Sequence, residues 1–135
     1  MDSGRAAFEA ALATVDDLFR HDAGKAMADW FATDAQLLWP EEAPIIGQEA
    51  IGQAFADFAE AFETISFVPE HDLVEVAPPL AVLIGSFIEV RRVRATGVVE
   101  RVHGRIVYAW RAEPERGWRI VRAMTSRYAP DEVEP

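Results

Sequence analysis

The apolar residues of this chain change their period near residue 63, and that change limits the folds open to it. Before it they recur at three- and four-residue spacings; after it they alternate. Within 5–21, Phe8, Ala11, Leu12, Val15, Leu18 and Phe19 form one helical stripe. Asp2 or Ser3 can cap its start and Gly24 marks its end. A short second helix is expected over about 25–32, carrying Met27, Trp30 and Phe31. Gln36–Trp39 reads as extended and stops at Pro40. Gly47 precedes a third helix over about 48–62, with Ile51, Phe55, Phe58 and Phe62 on one side and Glu49, Asp57, Glu60 and Glu63 on a solvated face. Beyond it, strands are expected at about 64–68 and 71–77, or as one strand kinked at Pro69, then at about 80–93, 99–112 and 118–128. Pro78-Pro79, Ala95-Thr96-Gly97 and the stretch between Pro114 and Gly117 supply the turns. Helices followed by long strands predict an α+β fold, with three N-terminal helices packed on a mainly antiparallel sheet.

A length of 135 residues suits one domain spanning 1–135, large enough to bury a core without a covalent staple. The absence of cysteine excludes disulfides, thiolate chemistry and cysteine-ligated zinc. No apolar run approaches the roughly 18 residues of a membrane span. Met1-Asp2-Ser3-Gly4 does not open a secretion signal, so the expected location is cytoplasmic.

The net charge of −10 argues against nucleic acid as a partner, because phosphate binding relies on Lys and Arg. The charge is uneven: residues 1–88 hold 16 acids and 3 bases, whereas 89–127 hold 10 arginines and 4 glutamates. Asp131, Glu132 and Glu134 make the end, about 129–135, an acidic tail expected to be flexible.

Strand parity accounts for the arginines. If Arg94 faces Val98 across the first hairpin turn, Ser86 lies near Ile106 and Ile88 near Gly104. If Ala112 faces Trp118 across the second, Tyr108 lies near Arg122 and Gly104 near Ser126. The even-numbered set, including Val82, Ile84, Ser86, Ile88, Ile106, Tyr108, Trp110, Ile120, Arg122, Met124 and Ser126, is then mostly apolar and inward. The odd-numbered set, including Glu89, Arg91, Arg101, His103 and Arg105, is charged and outward. A one-residue slip would bury arginines, and a bulge would break the scheme locally. Phe87, Val107, Val121 and Ala123 give that outer face an apolar centre, which suits a homodimer interface.

Inward polar residues are the candidate site. Tyr108 is either a core tyrosine bonded to a neighbour or a donor to a ligand oxygen. Arg122, inward and opposite Tyr108, needs an internal acid or a ligand carboxylate. Ser86 and Ser126 are small polar groups on the wall, and Met124 is adaptable apolar surface. Trp30 and Trp39 can line a cavity for a flat ligand or simply fill the core, as can Trp110 and Trp118. Glu70-His71-Asp72 alternates faces and cannot converge on a metal, and no phosphate loop is present, so neither metal nor cofactor is indicated.

Three stretches carry a family resemblance. Trp30-Phe31-Ala32-Thr33-Asp34-Ala35 followed by Trp39-Pro40, Ile46-Gly47-Gln48-Glu49-Ala50-Ile51, and Gly117-Trp118-Arg119-Ile120-Val121 with Ser126 resemble, in order and spacing, the SnoaL-like, nuclear-transport-factor-2-like superfamily. The resemblance implies a cone-shaped half-barrel wrapped by helices, a deep apolar cavity and frequent homodimers. It spans isomerases, dehydratases, cyclases, epoxide hydrolases and binding or association proteins, so it fixes no chemistry. Its ketosteroid isomerases carry a general-base aspartate where this chain has Trp39, and an oxyanion tyrosine where it has Val15. Three roles follow: a cofactor-free binder of a small apolar molecule lined by Trp30, Trp39, Ser86, Tyr108, Arg122, Met124 and Ser126; an isomerase, dehydratase or cyclase acting on a small apolar or polyketide-like substrate through Tyr108 and Arg122; or a dimeric association module using the outer sheet face.

Overall fold

The computed structural model describes residues 3–21 and 24–133, with only the backbone of Ser3, Gly24 and Lys25. The chain runs α1 (Ser3–Arg20), a 3-10 helix (Gly24–Trp30), β1 (Phe31–Leu38), β2 (Ile45–Ile46), α2 (Gln48–Ala61), β3 (Phe62–Ala77), β4 (Leu80–Val93), β5 (Val99–Glu113), β6 (Gly117–Arg127) and β7 (Asp131–Val133). The sheet order is β2-β1-β6-β5-β4-β3, with β7 on β5. Only β1 and β6 pair in parallel, so the sheet is mixed and unclosed.

The expected α+β architecture is present, with two α-helices instead of three. The segment read as a second helix is a seven-residue 3-10 helix, because Phe31 and Ala32 already belong to β1 and too few residues remain for α-helical turns. Capping by Asp2 or the Ser3 side chain lies outside the described residues. At the other end of α1, His21 Nδ1 donates to the Asp17 carbonyl at 2.9 Å, satisfying one of the acceptors a helix end leaves open. The strand around Pro69 is continuous over sixteen residues. It lies at the sheet edge, where a residue without an N–H is tolerated. Asp131–Val133, within the tail expected to be flexible, pairs with Val99–Arg101.

Helix α1 lies over the inner sheet face. Phe8 is wedged edge-on between Trp110 and Trp118, at centroid distances of 5.2 and 5.3 Å. Val15, Met27, Phe31, Ile51, Leu83 and Ile120 complete the most deeply buried layer. No helix among the described residues is long and apolar enough to cross a membrane.

Strand parity departs from expectation in two places, and each has a local cause. The first hairpin closes one residue earlier than the assumed Arg94–Val98 pair. Val93 N donates to the Val98 carbonyl and Gly97 N to the Val93 carbonyl, with Gly97 at φ 77°. Such a φ is cheap only for glycine. Ser86 therefore pairs with Arg105, not Ile106, and β4 turns its odd-numbered residues inward: Ala81, Leu83, Gly85, Phe87, Glu89 and Arg91. Phe87 then sits opposite Gly104, and a Cβ on Gly104 would lie 2.2 Å from its ring. The second hairpin begins as expected, with Ala112 opposite Trp118 and Trp110 opposite Ile120. A bulge then inserts Val121, so Tyr108 faces Ala123 and Arg122 faces Ala109. Ile120 and Val121 are both buried, and beyond them Arg122, Met124 and Ser126 point outward.

Replacing Gly104 with Ala is expected to push the Phe87 ring from its seat and lower stability by about 1–3 kcal/mol. Urea denaturation of the variant measures this; an unchanged midpoint would show that the ring moves without cost.

Candidate functional site

The helices and the inner sheet face leave a cavity of about 450 Å³. Its walls are aromatic, with α1 contributing Phe19, α2 Phe55 and Phe58, β3 Phe67 and β4 Phe87. Phe67 stacks between Phe19 and Phe87 at 5.1 and 5.3 Å, forming a continuous apolar wall. Trp39 closes another side, edge-on to Phe55 at 5.3 Å. These contacts follow from periodicity: α2 presents Phe55 and Phe58 along one side, β3 supplies Phe62 and Phe67, and β4 turns Phe87 inward.

Of the residues expected to line a pocket, Trp39 and Tyr108 do so. The other five do not. Trp30 is covered by the Arg119 guanidinium at 4.7 Å, away from the cavity, where burial and then the charge of Arg116 lower the arginine's affinity for its proton. Ser86 lies on the outer face because of the shorter first hairpin. Arg122, Met124 and Ser126 lie there because of the Val121 bulge. Arg122 is exposed and donates to the Val121 carbonyl at 2.7 Å, so the proposed juxtaposition with Tyr108 does not exist.

Tyr108 is buried against the cavity and forms no hydrogen bond among the described residues. Burial raises its pKa well above the ordinary phenol value, and the negative charge of Asp16 adds to the rise. The site thus offers a neutral O–H donor in an apolar setting, where an oxygen acceptor on a ligand would be held more strongly than in water.

Two polar pairs escaped the sequence, and only the first of them lines the cavity. Glu89 and Arg91 are buried on the cavity wall, 7% exposed each. Arg91 donates to Glu100 through Nε at 2.8 Å and Nη2 at 2.7 Å, and its guanidinium lies 4.0 Å from the Phe62 ring centroid. The other two, Asp16 and His71, face each other between α1 and β3, with His71 Nε2 donating to Asp16 Oδ2 at 2.7 Å. His71 pairs with Gly85, whose missing side chain lets the bulged β3 backbone at Glu70 approach β4. Its Nδ1 is buried without a partner. A usable signal existed for one pair only: Glu89 and Arg91, two apart on a strand, must share a face. The Asp16–His71 pair spans 55 residues and has no local signature.

No family model matches the sequence, and no curated protein matches it either. Solved structures do match the fold. A ketosteroid isomerase-like protein from Erwinia carotovora atroseptica superposes with a TM-score of 0.86 at 19% identity, over 96% of this chain and 100% of that one. A nuclear transport factor 2-like superfamily protein from Salmonella enterica serovar Typhimurium gives 0.79 at 16% identity, covering 95% and 93%. A nuclear transport factor 2-like protein with a cystatin-like fold from Novosphingobium aromaticivorans gives 0.69 at 18%, covering 91% and 80%. The fold is therefore that of the nuclear-transport-factor-2-like superfamily, as the sequence resemblance implied.

Two outcomes follow from the site's electrostatics. A buried phenol with a raised pKa contributes stability below the ordinary tyrosine value of about 10, and that contribution is lost as pH climbs toward the folded-state value. Between about pH 9.5 and 11.5, denaturation midpoints should fall further for the native chain than for Tyr108→Phe. Asp16→Ala strands the His71 imidazole and should cost about 1–3 kcal/mol at neutral pH, measured the same way.

Proposed function

We propose that this chain binds a small, mostly apolar molecule in the aromatic cavity and acts as a homodimer through the outer sheet face. One observation carries the binding reading: a cavity of about 450 Å³ walled by aromatic rings and lined by Tyr108, whose phenol keeps its proton. Stability alone favours filling such a volume, because cavities weaken packing. Trp39 and Tyr108 remain the proposed ligand contacts from the sequence, joined by Phe55, Phe67 and Phe87. Native mass spectrometry with a library of flat apolar compounds tests this. The expected result is a one-to-one complex, and Tyr108→Phe should weaken oxygen-bearing ligands by roughly three- to ten-fold. An empty chain across the library would overturn the reading.

The outer face supports the dimer. Val68 and Ile88, and then Leu73, Ile84, Val107 and Met124, form an exposed apolar band across β3, β4, β5 and β6. A band spanning four strands is larger than the scattered apolar residues common on monomers. A second copy offers the same band, so a two-fold contact is self-complementary. The combined variant Ile84→Glu with Val107→Glu should run as a monomer by light scattering with unchanged circular dichroism. A native chain that is already monomeric at micromolar concentration would sink the dimer.

An enzymatic reading is favoured by one specific observation, the Asp16–His71 pair whose carboxylate charge reaches Tyr108. A cofactor-free isomerase, dehydratase or cyclase would use Tyr108 to polarise a substrate oxygen. The Erwinia neighbour is described as ketosteroid isomerase-like. Trp39 and Val15 offer no proton-transfer group, so that reaction is not carried over. In this reading Tyr108→Phe lowers turnover of a bound ligand by orders of magnitude, whereas a pure binder leaves every bound compound unchanged by NMR.

A further inference from the structure

The bulge that turns Arg122 out of the interior turns Arg127 into it. Past Val121, Ala123, Thr125 and Arg127 lie opposite Tyr108, Ile106 and Gly104 on the inner face. Thr125 and Arg127 both line the cavity. Arg127 ends β6 with its side chain 30% exposed, so it stands at the cavity mouth. Tyr108 lies four residues further along β5 than Gly104, about 13 Å deeper. The two arginines of the lining differ in what they already hold. Arg91 is matched: Nε and Nη2 donate to Glu100, and Nη1 lies 3.5 Å from Glu89, which also accepts from Thr64 Oγ1 at 3.1 Å. Arg127 has one ion pair among the described residues, with Glu41 at 4.0 Å, and the Glu41 side chain is 88% exposed. A pair that long and wet contributes little. The Arg127 guanidinium makes no hydrogen bond among the described residues.

Resting on the reading of this cavity as a ligand site, we infer that it selects flat apolar acids, with the rings against the aromatic walls and the carboxylate at the mouth on Arg127, in place of Glu41. A carboxylate is planar and accepts two parallel N–H bonds from one guanidinium, which a single neutral oxygen cannot do. Thr125, two residues before Arg127 on the same face, adds a hydroxyl donor. Acids line the cavity as well: Glu89, Glu42 and Asp57. Glu89 is engaged with Arg91 and Thr64. Glu42 and Asp57 are exposed, and Asp57 accepts from Gln53 at 2.8 Å. Water and salt weaken their repulsion of an anion that touches Arg127 directly. An amine gains nothing from Arg127 and is left with the exposed carboxylates of Glu41, Glu42 and Asp57, whose pairing in water is worth little. The ligand carboxylate expected at Arg122 thus finds its arginine five residues later, on the side of the sheet that holds the cavity.

Isothermal titration calorimetry of the full chain at neutral pH and low salt with naphthylacetate, naphthylacetamide and naphthylethylamine tests this, because the three share one apolar body and differ in charge. The acid should bind at least about five-fold more tightly than the amide or the amine, a difference of roughly 1 kcal/mol. An amide or amine that matches the acid overturns the selectivity while leaving the cavity a ligand site. Failure of all three to bind overturns both. Arg127→Gln, checked for folding by circular dichroism, should bring the acid-to-amide ratio close to one, and an unchanged ratio in the folded variant overturns the inference. Glu41→Gln removes the competing carboxylate from an exposed position and should raise the ratio about two-fold or more. A ratio that stays or falls in Glu41→Gln also overturns the inference. Should Arg127→Gln not fold, the native comparison and Glu41→Gln decide.

Discussion

The seat of Phe87 over Gly104 is the contact on which the rest of the interior depends. A phenyl ring can face inward there only because its partner on β5 has no side chain. Once it does, every second residue of β4 follows by the alternation of a strand. Ala81 and Leu83 fill the space under α1, Gly85 admits the bulged β3 backbone, and Glu89 and Arg91 enter the cavity wall. The same alternation sends Val82, Ile84 and Ile88 outside. One steric fit thus sets both the polar end of the cavity and the apolar band on the far face.

Placing Glu89 and Arg91 inside is expensive unless their charges are matched and hydrogen-bonded. Removing one member of a buried ion pair costs about 3–5 kcal/mol, yet a well-packed apolar replacement is often as stable as the pair. Apolar residues at 89 and 91 would therefore have served folding as well. The arrangement is better understood as one that gives a greasy cavity a polar pole, with Glu100, Thr64 and the Phe62 ring holding it in place. Tyr108 is the opposite solution to the same problem: it keeps its proton and so avoids carrying a charge at all.

How far the sequence could be read depended on how local each determinant was. The change of apolar period near residue 63 marked α1, α2 and strands β3 to β6 close to their observed limits, whereas β1 begins at Phe31, five residues before the extended stretch expected at Gln36. It overstated the second helix, because Met27, Trp30 and Phe31 suit a 3-10 turn running into a strand as well as an α-helix. Parity within β5 was legible because its faces differ sharply, with Ile106, Tyr108 and Trp110 against Arg101, His103 and Arg105. Parity of β4 was not, because Val82, Ile84 and Ile88 look like core while Glu89 and Arg91 look like surface. Gly97 and the Val121 bulge each moved the register by one residue, and neither leaves a mark in hydropathy. Of the candidate site, the shifts moved Ser86, Arg122, Met124 and Ser126 outward, whereas Trp30, Trp39 and Tyr108 stood on segments where they did not act, and of those three Trp30 alone lies away from the cavity. Asp16 and His71 meet only through the tertiary fold.

Strand β3 ends the sheet with one backbone edge unpaired among the described residues. Such an edge is a template on which foreign strands can zip up. Here Pro69 lacks a donor, Ile65 and Asp72 stand as extra residues that break the straight ladder, and the exposed acids Glu70, Asp72 and Glu75 repel an identical neighbour. These features disfavour lateral strand addition along this rim.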